Sequence, residues 1–296
     1  MAFTPALSRL HMTASPPSSR LADGILVINL DQRPERLDRF AAMAATQPLL
    51  AGWQRLAAVN GTELPGYGQA PWFHGRSRDK CWAGRAGCTL SHRKAIEHAR
   101  DMGWDRVLIM EDDVALGPTF AADAADLLAT LNAANSDWAM CYLGASKPIG
   151  PCRKTADLGD GRVLYQIFGC NGTFAYLMER RAFDWVLAQL PTADTVWPWV
   201  YQHRAIDRWY ARNLSRRFLV HSVSPNLIGH YASFSDIGQR AGAEVGVTES
   251  ATTDTHPLRP SSDAAFHLLS RLLRVQFRLA GAVNRIRCAI ARQRGF

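Results

Sequence analysis

Short apolar runs that stop abruptly at polar residues recur along the chain, and several are followed by apolar positions at helical spacing. The sharpest is Arg106-Val107-Leu108-Ile109-Met110-Glu111-Asp112-Asp113-Val114. Four consecutive apolar residues predict a strand buried on both faces, as in a parallel sheet. Three carboxylates close it, since Asp is a poor strand former. Strand alternation would put Glu111 and Asp113 on one side and Asp112 on the other. The stretch Ile25-Leu26-Val27-Ile28-Asn29-Leu30-Asp31 has the same form. Pro34 suits the first position of a helix, which Leu37, Phe40 and Ala44 continue. A helix is predicted from Gly87 to Met102, closed by Gly103 and feeding the acidic strand. Cys88, Ser91, Ala95, Ala99 and Met102 step by three or four along its buried stripe, with His92 on the flank.

Further along, residues 119–134 predict a helix, and Trp138–Leu143, Val163–Phe168 and Phe174–Met178 predict strands. A helix over Arg181–Leu190, a short helix over Ala205–Tyr210 and a last strand over Phe218–Val223 follow. Leu56–Gly61 reads as a short strand with an Asn-Gly turn. Residues 62–86 read as a long surface loop, and a Gly/Pro/Lys loop separates the strands ending at 143 and starting at 163. Strands alternating with helices predict an α/β fold, with a mixed but mainly parallel sheet flanked by helices. The expected division is a disordered leader at 1–23, a globular domain at 24–240, a linker at 241–262 and a separate helix at 263–296.

In open α/β sheets ligands gather at the carboxyl ends of the strands. Two carboxylates there, Glu111 and Asp113, would make a hard oxygen site for Mn²⁺ or Mg²⁺; the alternative is a solvated acidic loop. Asn29, Asp31, Arg33 and Arg36 sit at the first strand–helix junction, where a nucleotide can bind. Arg33 and Arg36 read equally well as helix-surface charges, because G-x-G-x-x-G is absent. Ser91 and His92 suggest ligand contact, but adjacent helix residues do not face each other, so they are no nucleophile pair. A hydrogen-bonded structural His92 is the other reading. Trp72, Phe73 and Trp82 either stack on a sugar or, the favoured reading, pack the loop down.

Net charge is +8, and residues 264–296 carry seven arginines and no acid. A globally basic nucleic-acid binder is therefore not expected. Arg271, Arg274, Arg278, Arg285 and Arg292 follow one helical face. Leu268, Leu272, Val275, Leu279, Val283, Ile286 and Ile290 follow another. Such a helix suits an anionic membrane surface; docking on its own domain or on a partner is the alternative. The six cysteines form no C-x-x-C pair and read as reduced thiols of a cytosolic protein. Neither a secretory signal nor a run near 18 apolar residues is seen, so the expectation is a cytoplasmic protein held at the inner face of the membrane.

The ordered motifs I-N-L-D-x-R-P-E-R, A-V-N-G, G-C-T-L-S-H, L-I-M-E-D-D-V and G-T-F-A-Y-L together resemble glycosyltransferase family 25, which includes lipopolysaccharide galactosyltransferases. The resemblance covers roughly residues 25–240. It implies a GT-A-like fold, a UDP-sugar donor (commonly UDP-galactose), a divalent ion, and inversion at the sugar carbon. Carried onto this sequence, it implies Asp113 and Glu111 on Mn²⁺, with Glu111 acting through water or on the ribose. Asn29, Asp31, Arg33, Arg36 and Asp112 would lie on the nucleotide side, with Ser91 and His92 lining the same cleft. An inverting reaction needs a carboxylate base, for which Asp207 is the first choice and Asp236 the second. The acceptor would be a saccharide of lipopolysaccharide or another cell-surface glycan. A metal-dependent phosphoryl-transfer enzyme and a non-catalytic nucleotide-sugar or membrane-binding module are the alternatives. Arg85 and Asn60 stand where the family usually has acidic residues.

Overall fold

A computed structural model describes residues 20–76, 79–133, 137–159, 161–232, 234–235, 240–241 and 260–293. The order is β1 (Gly24–Asn29), α1 (Pro34–Ala44), β2 (Gln54–Ala57), α2 (Asp79–Asp101), β3 (Arg106–Glu111), β4 (Val114–Leu116) and α3 (Phe120–Ala133). Then come β5 (Trp138–Gly144), β6 (Lys147–Pro148), β7 (Arg153–Gly159), β8 (Arg162–Ile167), β9 (Cys170–Asn171), β10 (Ala175–Glu179) and α4 (Arg180–Leu187). The rest is α5 (Val196–His203), α6 (Ile206–Asn213), β11 (Leu219–Ser224), β12 (Ile228–His230) and α7 (Asp263–Gln293).

Eight strands form one sheet in the order β2-β1-β3-β10-β5-β11-β8-β7. Strands β1, β2, β3, β5, β7 and β11 run one way, while β8 and β10 run the other. The sheet is therefore mixed: most strands share a direction, but β10 is inserted antiparallel between β3 and β5. Alternation along β3 divides the core. Val107 and Ile109 meet Ala95, Ile96 and Ala99 of α2, while Leu108 and Met110 meet Phe40, Phe120 and Leu127 on the other face. Helices thus cover both faces, which is why β3 can be apolar throughout.

Two stretches read as loops are regular structure. Residues 79–86 are the first turns of α2, not loop. Their glycine and alanine content serves close packing: a Cβ on Gly61 would lie 1.8 Å from the Ala83 carbonyl oxygen, and one on Gly87 would lie 2.3 Å from that of Val59. Residues 153–159 form β7, an edge strand whose alternating charged residues hide its strand character. The preceding aromatics pack, as favoured. Phe73 meets Trp197 edge-on at 4.7 Å, and Trp72 and Trp82 each lie 5.4 Å from Tyr201. On α2 the buried stripe takes in His92 and Ile96 and leaves Met102 exposed at the helix end.

Helix α7 docks on the domain. Asn284 Nδ2 donates to the Gln202 carbonyl at 2.9 Å, and Cys288 Sγ lies 3.9 Å from the Pro198 carbonyl. Phe266 is buried beneath the Arg153 guanidinium, which also pairs with Asp263 at 3.3 Å. The apolar residues named from the sequence lie on the opposite, exposed face.

Two outcomes follow for stability. Gly87→Ala forces a methyl group into backbone, so it should cost about 1–3 kcal/mol, read as a lower urea midpoint with an unchanged slope. Burial pushes the His203 and His221 imidazoles down to about 4. The unfolded chain binds their protons first, near pH 6.5, so stability should fall as pH drops from about 6.5 to about 4. His221→Gln should lose less stability between pH 7 and pH 5 than the wild-type chain does, measured by urea unfolding.

Candidate active site

Strand β1 has β2 on one side and β3 on the other, so the chain reverses its winding between β1 and β3. At that point Asn29, the last residue of β1, is buried, with both amide hydrogens engaged. Its Nδ2 donates to Asp112 Oδ2 at 2.7 Å and to the Arg33 carbonyl at 2.9 Å, and its Oδ1 accepts from Arg55 Nε at 2.9 Å. Arg36 Nη1 reaches Asp112 Oδ1 at 3.1 Å and Asp113 Oδ2 at 3.4 Å. Asp112 and Asp113 therefore share one cation instead of alternating as strand residues. The reason is local: β3 ends at Glu111, and residues 112–113 form a turn before β4. Burial raises the Asp112 carboxyl above its usual range, while Asn29 and Arg36 draw it back. Arg55 also pairs with the exposed Asp31, and Arg33 lies 3.6 Å from Glu35.

Glu111 belongs to a second cluster. Its Oε1 is 3.9 Å from His92 Nε2, and ligand atoms of Cys88, His92 and Glu111 all lie within 4.8 Å of one another. Both His92 nitrogens are engaged, Nδ1 with the Tyr176 hydroxyl at 2.9 Å and Nε2 with Thr173 Oγ1 at 3.2 Å. The Cys88 thiol is pushed well up, first by burial and then by the charges of Glu111 and Asp207. The trio offers a sulfur, an imidazole nitrogen and a carboxylate oxygen close enough to share one ion. Asp207, in the first turn of α6, accepts the Gly172 N–H through Oδ2 at 3.1 Å and the Arg208 N–H through Oδ1 at 2.6 Å. Gly172 has φ +80°, a conformation suited to glycine, and it leads into Thr173. Asp207 and Glu111, on two elements, both add negative charge that disfavours the Cys88 thiolate.

Ser91, expected to line the cleft, has its hydroxyl engaged by backbone on both sides. It is 1% exposed, accepts the Val59 N–H at 2.8 Å and donates to the Gly87 carbonyl at 2.7 Å. His92 is likewise a buried, doubly bonded support. Asp236 lies outside the described residues. Sequence reasoning missed Cys88 and Thr173 as site residues. The signal available for Cys88 was its four-residue spacing from His92 on one helix. Asn60 accepts from Thr62 N at 3.1 Å and donates to Glu63 at 2.7 Å. The second bond needs the amide that an acid lacks. Arg204, stacked 5.5 Å over Trp82, has its pKa lowered by burial and then by the charge of Arg85. Arg204 follows α5, and Arg208 and Arg212 share α6 with Asp207, so positive charge predominates on that helix.

Residues 22–146 match the family described as Glycosyltransferase family 25 (LPS biosynthesis protein). That span contains Asn29, Arg36, Cys88, His92 and the acidic turn but ends before Asp207. "Inactive glycosyltransferase 25 family member 3" of Homo sapiens is 30% identical over 234 residues, covering 73% of this chain and 38% of that protein. "Procollagen galactosyltransferase 2" of Homo sapiens is 28% identical over 136 residues, covering 42% and 21%. "Procollagen galactosyltransferase 1" of Danio rerio is 24% identical over 253 residues, covering 78% and 41%. The chain spans about two fifths or less of the length of these curated relatives. Among solved structures, "Crystal Structure of A197 from STIV" has a TM-score of 0.35 at 9% identity, covering 75% of this chain and 96% of that one. That likeness is too slight to bear on the site. The match across the ends of β1 and β3, together with relatives of the same family along most of the chain, makes this protein a member of glycosyltransferase family 25.

Proposed function

We propose that this chain is an inverting glycosyltransferase. It would move a hexose, by our reading galactose, from a UDP-sugar to a saccharide of lipopolysaccharide or another cell-surface glycan. The carrying observation is that Glu111 and Asp207 are tied to one segment, Asp207 through the Gly172 N–H and Glu111 through His92, whose Nε2 meets Thr173, while Asp112, next to Glu111, joins Asn29 and Arg36. Galactosyl transfer is also what two relatives are named for.

The donor set suits Mn²⁺ or Mg²⁺. Glu111 and Asp113 offer hard carboxylate oxygens that are partly exposed, at 27% and 17%. Glu111 stands with His92 and Asp113 with Arg36; that both hold one ion is part of the proposal, and the ion would supply charge neutralisation for the departing diphosphate. The protein groups do the rest. Arg33 and Arg36 offset diphosphate charge; Asn29 bonds the Arg33 carbonyl, Asp112 holds the Arg36 guanidinium, and Asp31, paired with Arg55, completes the nucleotide side. His92 holds Glu111 in place through its own bonds to Tyr176 and Thr173. Asp207 takes the acceptor hydroxyl proton as that oxygen bonds to the sugar carbon, and the bond from that carbon to UDP breaks on the opposite face. Two backbone N–H donors hold the Asp207 carboxylate ready for this role. Asp236 is the second candidate for the base.

One observation favours a second reading, a nucleotide-sugar-binding module without turnover. Arg36 already engages Asp112 and Asp113, and one relative carries "Inactive" in its name. A panel of UDP-sugars with and without Mn²⁺, scored for both binding and UDP release, separates the two readings. Transfer predicts Mn²⁺-dependent release that Asp113→Ala reduces at least about 100-fold. Asp207→Asn should lower kcat about 10²–10⁴-fold while leaving UDP-sugar affinity unchanged. If Asp207→Asn and Asp236→Asn both turn over normally, neither is the base.

A further inference from the structure

The large apolar side chains left exposed are concentrated on one element. Leu268, Leu272, Val275, Leu279, Val283, Ile286 and Ile290 of α7 are 43–64% exposed. Their order is regular. Leu268, Leu279 and Ile290 are eleven residues apart, as are Leu272 and Val283, and Val275 and Ile286. Eleven residues make three turns at 3.67 per turn, close to the natural helix, so the ridge runs nearly straight. From Leu268 to Ile290 it spans ~33 Å at 1.5 Å per residue.

The opposite face is committed. Phe266, Ser270, Asn284 and Cys288 hold α7 to the domain. Arg274 stacks 5.7 Å over Phe168 and Arg292 5.9 Å over Trp72. The ridge is therefore presented by a fixed helix. Charges border it. At 100° per residue, Arg271, Arg278 and Arg285 recur every seven residues along one flank, and Arg287 lies on the other. After Asp263, which pairs with Arg153, α7 has no acidic residue.

We infer that this ridge lies on an anionic lipid bilayer, with α7 parallel to the surface and its arginines at the lipid phosphates. The charge pattern selects that occupant. Two copies of the ridge packed together would bring arginine rows side by side with no Glu or Asp to pair them. An anionic bilayer accepts both the apolar ridge and its basic borders. No helix among the described residues is long and apolar enough to cross a membrane, so contact would be along the surface. The inference does not rest on the transfer reaction, and either can fail alone.

The test is co-sedimentation of the full chain with vesicles of phosphatidylcholine, with and without phosphatidylglycerol, at low and high salt. The chain should pellet with the anionic vesicles, less so as salt rises. A variant carrying Leu272→Glu, Leu279→Glu and Ile286→Glu should lose at least about 100-fold in partitioning. Its thermal midpoint should not move, because the docked face is untouched. A second variant, Arg271→Gln with Arg278→Gln and Arg285→Gln, should lose roughly fivefold per arginine on anionic vesicles and nothing on neutral ones. Failure of the wild-type chain to pellet with anionic vesicles overturns the inference, as does undiminished partitioning of the two variants. So does a wild-type dimer, seen by light scattering, that ignores vesicles and is dispersed by the glutamates.

Discussion

A buried carboxylate that must be satisfied holds the candidate site together. Asp112 sits where burial disfavours its charge, and it is kept by an amide from β1 and a guanidinium from α1. Removing either partner would leave a carboxylate short of bonds in a dry place, the expensive case for any polar group. The consequence is geometric. The end of β1, the start of α1 and the turn after β3 cannot move independently. Asn29 bonds Asp112, the Arg33 carbonyl and Arg55 at once, and Asp112 in turn holds Arg36, so these groups are positioned together.

A second constraint acts by absence of side chains. Gly61 and Gly87 let the segment after β2 and helix α2 touch backbone to backbone. That approach brings Val59 N–H within reach of the Ser91 hydroxyl, and it fixes the rotation of α2. The rotation in turn aims Cys88 and His92 at the end of β3, where Glu111 stands. The motifs containing these glycines thus contribute to the site without offering a ligand of their own.

These two constraints explain what could be read from the residues. The strand Val107–Met110 and its acidic stop were legible because burial on both faces leaves a continuous apolar run. The gathering of Asn29, Arg36 and the acids was legible because strand ends in such sheets converge. Which acids share a side was not, since it depends on the strand ending one residue before Asp112. Residues 79–86 looked like loop because the small residues needed for close packing are also loop residues. Strand β7 was hidden because an edge strand in water need not be apolar. The backbone partners of Ser91 were not legible, because the position of a hydroxyl on a buried stripe says nothing about whether its partner is ligand or backbone.

Helix α7 shows the same limit from the other direction. Its apolar and basic stripes were plain in the sequence, and both docking and surface binding were open. A single helix has room for both. The apolar stripe is the free one, while the docked face is a mixture of Phe266, Ser270, Asn284 and Cys288 that no periodicity of hydrophobic residues would single out. Hydrogen bonds to the Gln202 and Pro198 carbonyls of α5 and arginines laid over aromatic rings hold that face. Contacts of this kind leave the larger apolar area unspent, and a fixed helix with an unspent straight ridge is shaped for a flat partner.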